Sequence, residues 1–110
     1  MVQASLHDIE EYRNDQFVIK PVYDGAASLA KVMHLVPGQS VPVHPHPGKE
    51  IVLFPQKGRA IAKWEDGTEQ ALEPGTVYYQ GIEPTFGVTN TGGENFQMLV
   101  MVVRTGREQI

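Results

Sequence analysis

The stretch His44-Pro45-His46-Pro47-Gly48-Lys49-Glu50 places two imidazoles two residues apart and a carboxylate four residues beyond the second. Along a strand, alternate side chains share a face, so His44 and His46 can converge on one point. Whether Glu50 joins them depends on the loop between. A three-residue Pro47-Gly48-Lys49 loop makes His46 and Glu50 facing positions and puts the carboxylate on the imidazole side. A two-residue Pro47-Gly48 turn pairs His46 with Lys49 instead and sends Glu50 to the opposite face, because a one-residue slip reverses every side chain. Two nitrogens and one oxygen converging inside a β-framework make a transition-metal site. The expectation is therefore one divalent transition metal held by His44, His46 and Glu50, with iron, nickel, manganese and zinc equally open. The plainer alternative is a pair of solvated histidines and a Glu50 that pairs with Lys49.

Elements able to position these residues are strands. Gly and Pro, 11 and 8 of 110 residues, recur as Pro37-Gly38, Pro47-Gly48, Lys57-Gly58, Asp66-Gly67, Pro74-Gly75 and Gly92-Gly93. Pro fixes φ and Gly permits positive φ, so each dipeptide marks a turn. The segments between them predict short strands at Gln16–Val22, Ser28–Val36, Ser40–His46, Glu50–Phe54, Arg59–Glu65, Thr68–Glu73, Val77–Gly81, Phe86–Asn90 and Phe96–Val103. Strands of this length at this spacing indicate an all-β sandwich or barrel. Asp66-Gly67 is the strongest hairpin signal. Residues from Met98 onward are apolar on both strand faces, which suits a central strand, with Met98 and Met101 filling gaps in a core. One helical turn is expected at Leu6–Tyr12, with Ser5 as its cap.

Bulk properties narrow the function. The length fits one domain over residues 1–110, with 1–27 forming an N-terminal arm and the first strand. The chain has no Cys, which excludes disulfides, thiolate metal sites and thiol nucleophiles. A net charge of −4 without any basic run opposes nucleic-acid binding. No apolar stretch approaches the roughly 18 residues of a membrane span, and the polar, acidic start does not resemble a signal peptide. A cytoplasmic location is expected, and so is a homodimer, since a barrel this small gains from covering the edge at Gln16–Val22.

The chain resembles the cupin superfamily of small β-barrels, in its short single-domain "cupin 2" form. Gly38, five residues, His44, His46, three residues and Glu50 follow that family's first motif. The spacing then departs by one, with seven residues rather than six before Gly58, and a bulge near Pro55 would absorb the extra residue. The second motif keeps its frame from Gly75 to Gly87-Val88-Thr89-Asn90. Gly81 stands where Pro is usual and Glu83 where Gly is usual, while Phe86 occupies the position of the family's fourth metal ligand.

This resemblance implies an antiparallel jelly-roll barrel, also described as a double-stranded β-helix, with a small organic ligand or substrate inside. The three remaining ligands would form a facial triad with open positions. Phe86 would add an apolar wall. Tyr79 is expected to face inward by family position, with Phe54 also lining the pocket; Trp64 and Arg59 are weaker candidates. His34, Glu83 and His7 are expected to be solvated or hydrogen-bonded rather than ligands. Three function classes follow: a metal-dependent dioxygenase, isomerase or lyase; a non-catalytic small-molecule binder or sensor; and a structural barrel with an empty metal site.

Overall fold

The computed structural model describes residues 1–106. Nine strands form in chain order: β1 Val18–Asp24, β2 Ser28–Leu35, β3 Ser40–Pro45, β4 Lys49–Lys57, β5 Ala60–Trp64, β6 Glu69–Leu72, β7 Tyr78–Ile82, β8 Thr85–Thr89 and β9 Phe96–Arg104. They build a five-stranded sheet ordered β1-β2-β9-β4-β7 and a four-stranded sheet ordered β3-β8-β5-β6. All pairings are antiparallel. This is an all-β fold, as the turn spacing indicates, and it is the double-stranded β-helix that the resemblance implies.

The sequence places apolar residues at every second position where two sheets can close on each other. Ile51, Leu53 and Pro55 on β4 are buried, as are Phe96, Met98, Val100 and Val102 on β9, and the residues between them are mostly more exposed. That alternation is the period of a strand with one face on a core. Leu35, Leu72, Phe96 and Met98 are fully buried at the centre of the packing. Met98 is core, but Met101 lies on the outer face and is over a third exposed.

Asn90 closes one end of the barrel. Its Nδ2 donates to the carbonyls of Leu35 (2.9 Å) and Glu94 (2.8 Å), and its Oδ1 accepts from the Gly92 N–H (3.0 Å). Its backbone exchanges bonds with Gly38 and Gln39 at 2.9 Å each. A buried amide satisfied on both sides in this way ties the β2–β3 connection to the β8–β9 connection. Asp66-Gly67 makes the expected hairpin between β5 and β6, with the Thr68 N–H donating to the Asp66 carboxylate at 2.9 Å.

Three local expectations need correction. The first strand runs Val18–Asp24 rather than Gln16–Val22. β4 continues past Phe54 to Lys57, with a register shift between Pro55 and Lys57. Pro55 is tolerated there because the β7 ladder on its other side ends at Leu53. The turn expected at Leu6–Tyr12 is confined to its first residues, where the Ser5 carbonyl accepts from Asp8 and Ile9 and the Ser5 hydroxyl accepts from the Asp8 N–H at 3.4 Å as the expected cap. Beyond it the arm is drawn out over the sheet. Gln97 Nε2 donates to the Leu6 carbonyl at 2.9 Å and lies 3.2 Å from His34 Nε2, while Tyr12 packs edge-on against the His34 ring. His34 is thus buried on the outer face of β2 and hydrogen-bonded, not directed into the barrel.

Candidate functional site

Between the two sheets lies a cavity of about 350 Å³, at the small end of the ~300–1,000 Å³ usual for small-molecule sites. Its walls are the inner faces of β2, β3, β4, β8 and β9, with Phe17 and Ile19 at the β1 edge. His44, His46 and Phe86 cluster on one side of it.

A β-bulge puts His44 there. Val41 pairs with Val88 and His44 with Phe86, so Pro42 and Val43 together oppose the single residue Gly87. In an unbroken strand, Val41 inward would put His44 outward; the extra residue reverses the face. Gly87 permits this. A Cβ at Gly87 would clash with the Val41 carbonyl oxygen and lie 2.6 Å from Pro42 C and Val43 N. The bulge also fixes the ring, since His44 Nδ1 lies 2.7 Å from the Pro42 carbonyl oxygen. A carbonyl only accepts, so Nδ1 carries the hydrogen and Nε2 is left for other partners.

His46 is held in the same manner from the opposite loop. Its Nδ1 donates to the Pro84 carbonyl at 2.7 Å. That carbonyl follows Glu83, a non-glycine residue at φ 54° whose N–H donates to the Lys49 carbonyl at 2.6 Å. Left-handed backbone at such a residue costs roughly 1–2 kcal/mol, here localised where it positions a cavity group. The two imidazole centroids are 4.2 Å apart, and the His46 ring stacks on Phe86 at 4.8 Å. Burial pushes the His46 pKa down; the Pro84 bond offsets part of this, and His44, Lys31 and Lys49 add to the lowering.

Glu50 does not join them. The Lys49 N–H donates to the His46 carbonyl at 3.2 Å, with Gly48 at φ 71°. This is the two-residue turn with Pro at its second position and Gly at its third. β4 therefore begins with Ile51 and Leu53 facing the cavity and Glu50 on the outer face. There Glu50 accepts a 2.6 Å hydrogen bond from Tyr79, which is 57% exposed. Tyr79 and Phe54, expected in the pocket, are both corrected to the outer face. Tyr79 pairs with Val52 and Phe54 with Leu99, all on the face away from the core. Tyr78 is the inward tyrosine, packing against the core while its hydroxyl accepts from the Glu73 N–H at 3.0 Å. Trp64 does approach the site, 5.7 Å from Phe86, whereas Arg59 is an exposed partner of Glu73. Glu83 and His7 are exposed.

The donors offered to a metal are two oriented imidazoles and no third protein ligand. Among the described residues no group of three or more His, Asp or Glu is placed to hold a metal ion. Sites for zinc or non-haem iron take three or four protein ligands, so this set does not fit a resident metal.

Sequence reasoning passed over Lys31, which also lines the cavity. Its signal was present: Leu29, Lys31, Met33 and Leu35 share the inner face of β2 by simple alternation, and only one of them is charged.

The chain belongs to the cupin family: the family model described as "Cupin domain" matches residues 31–102. Three solved structures share the fold. A protein from Thermus thermophilus superposes with a TM-score of 0.86 at 24% identity, covering 94% of this chain and 98% of that one. A conserved protein with a double-stranded β-helix domain from Klebsiella pneumoniae gives 0.86 at 22%, covering 94% and 90%. An RmlC-like cupin from Desulfovibrio desulfuricans gives 0.82 at 19%, covering 94% and 96%. No curated protein matches the sequence. Among the described residues, no helix is long and apolar enough to cross a membrane.

Proposed function

We propose that this cupin is a non-catalytic binder of a small, largely apolar molecule, working without a resident metal. The observation that carries the reading is the facing of β4. Ile51 and Leu53 form the cavity wall on β4, and Glu50, expected as the third metal ligand, lies on the other side of the sheet. What remains is a concave apolar chamber with a few polar groups at one side, which is the usual make-up of a small-molecule site. Phe86, buried against His46, supplies an aromatic wall at the position the resemblance gives to a fourth ligand.

The test has two parts. Protein produced without chelators is analysed for metals, and its binding of an environment-sensitive apolar dye is titrated. Sub-stoichiometric metal is expected, together with one dye per chain, and Val100→Phe should displace the dye by filling the chamber. A full equivalent of divalent metal that is lost in His44→Ala would restore the metal-dependent reading.

The proposed assembly partner is a second copy of the chain. β1 ends the five-stranded sheet with one backbone edge unpaired among the described residues, and Phe17 and Ile19 beside it are more than a third exposed. Sedimentation returning only the 12.2 kDa species at micromolar concentration would remove this proposal.

A further inference from the structure

We infer that the cavity selects a small apolar molecule ending in a single anionic group, of which a carboxylate is the simplest, with Lys31 as its anchor. The inference rests on the binder reading above and adds the charge of the ligand.

The whole chain carries a net charge of −4, yet among the described residues no Asp or Glu lines the cavity. Its polar side chains are Lys31, His44 and His46, all basic. Several cations outside the cavity are neutralised locally: Lys20 by Glu11 at 2.7 Å, Lys57 by Glu10 at 2.9 Å, and Arg104 by Asp24 at 2.7 Å. Lys31 has no carboxylate partner among the described residues. It sits in a register that is otherwise apolar, between Leu29 and Met33, and its charge acts on His46. Lys31 is half-buried on the inner face of β2, so a counter-charge carried by a ligand in the cavity would meet its ammonium with a charge-assisted hydrogen bond. The polar groups that share the cavity with it are imidazoles whose Nδ1 atoms are engaged by the Pro42 and Pro84 carbonyls, and these cannot supply it.

The remaining walls set the other half of the ligand. Ile51, Leu53, Val88, Val100 and Val102 have side chains that offer no hydrogen bond, so the body must be apolar, and about 350 Å³ limits it to a small molecule. An anionic head on an apolar body would place its charge at Lys31, beside the imidazole pair, and its tail against β4 and β9.

The experiment compares octanoate, octanol and octylamine by titration calorimetry on the intact protein. Octanoate should bind at least tenfold more tightly than octanol, and octylamine more weakly than either. Lys31→Met should collapse the octanoate-to-octanol ratio toward unity, while Lys31→Arg keeps it. Raising the salt concentration should shrink the ratio in the wild type, a readout that does not depend on any variant folding. Octanol binding as well as octanoate would overturn the anionic selectivity and leave the binder reading standing. Octylamine binding best, or a ratio unchanged in Lys31→Met, would also overturn it. Binding of none of the three would bring down both readings.

Discussion

β3 and β4 leave the same Pro47-Gly48 turn and treat their polar residues in opposite ways. On β3 an extra residue opposite Gly87 turns His44 to the cavity side, where the ring lines the cavity and stays exposed. On β4 the register from the turn is regular, and Glu50 is carried outside to Tyr79. One strand is bent to bring a polar group in; its neighbour in sequence keeps regular alternation from the turn through Leu53 and offers Ile51 and Leu53. The facing of a functional residue thus depends on single-residue register events, and residue types alone do not fix it.

The strongest challenge to this contrast is Gly87→Ala. The added methyl meets backbone rather than a yielding side chain, so a loss of about 2–3 kcal/mol in chemical denaturation is expected, and more if the bulge is expelled. Gly93→Ala, where nothing lies within 4 Å of an added Cβ, should stay within about 0.5 kcal/mol and serves as the control.

Phe86→His probes the same contrast from the other side. Phe86 is the register partner of His44 and stacks on His46, so the substitution brings a third imidazole to the pair without help from β4. Zinc affinity should rise at least tenfold over wild type by equilibrium dialysis. Glu50→Gln in that background should leave the gain intact, because the carboxylate faces away.

A smaller effect concerns pH. Burial lowers the pKa values of both His46 and His34, so between the ordinary imidazole value of about 6.5 and the folded-state values the unfolded chain binds more protons. Their contribution to stability is complete above about pH 6.5 and is lost as pH falls through the folded values. Denaturation midpoints across that window should decline, and His46→Gln should flatten part of the slope. The smallest effect is on the outer face of β4. The Tyr79 phenol is held above its usual range first by the hydrogen bond to Glu50. Glu50→Gln should lower its titration point in an ultraviolet pH series and leave ligand binding unchanged.

Fold was legible because it is written in turns. Asp66-Gly67, Pro47-Gly48 and Pro74-Gly75 each interrupt apolar alternation, and the strands fall between them within a few residues. Asn90 ties two connections together and Phe86 lines the cavity beside His46. The site was half legible. Both loop lengths were open from residues 47–49, and the structure contains the shorter one. The β3 bulge was invisible, because its cause is a close approach of Gly87 to a strand distant in sequence. Tyr79 and Tyr78 exchange their expected roles for a similar reason: a register shift between Ile51 and Val52 skips Gln80 on the partner strand. Lys31 follows from the alternation of β2, but a single Lys between Leu29 and Met33 carries no ligand spacing of its own.

The place of β9 in the five-stranded sheet has a consequence for how the molecule comes into being. Among the described residues β9 is the last of the nine strands, yet it lies between β2 and β4, and Ser28 pairs with Val103. Neither β1-β2 nor β4-β7 can join the other until that strand is available, so a chain growing from its N-terminus holds two unconnected strand pairs with exposed edges. Closure of such distant pairs must overcome loop entropy before any contact rewards it, which places folding in the slower, millisecond-to-second range of small β-proteins. The sheet is therefore assembled by the arrival of a single segment, and the cavity exists only after that event.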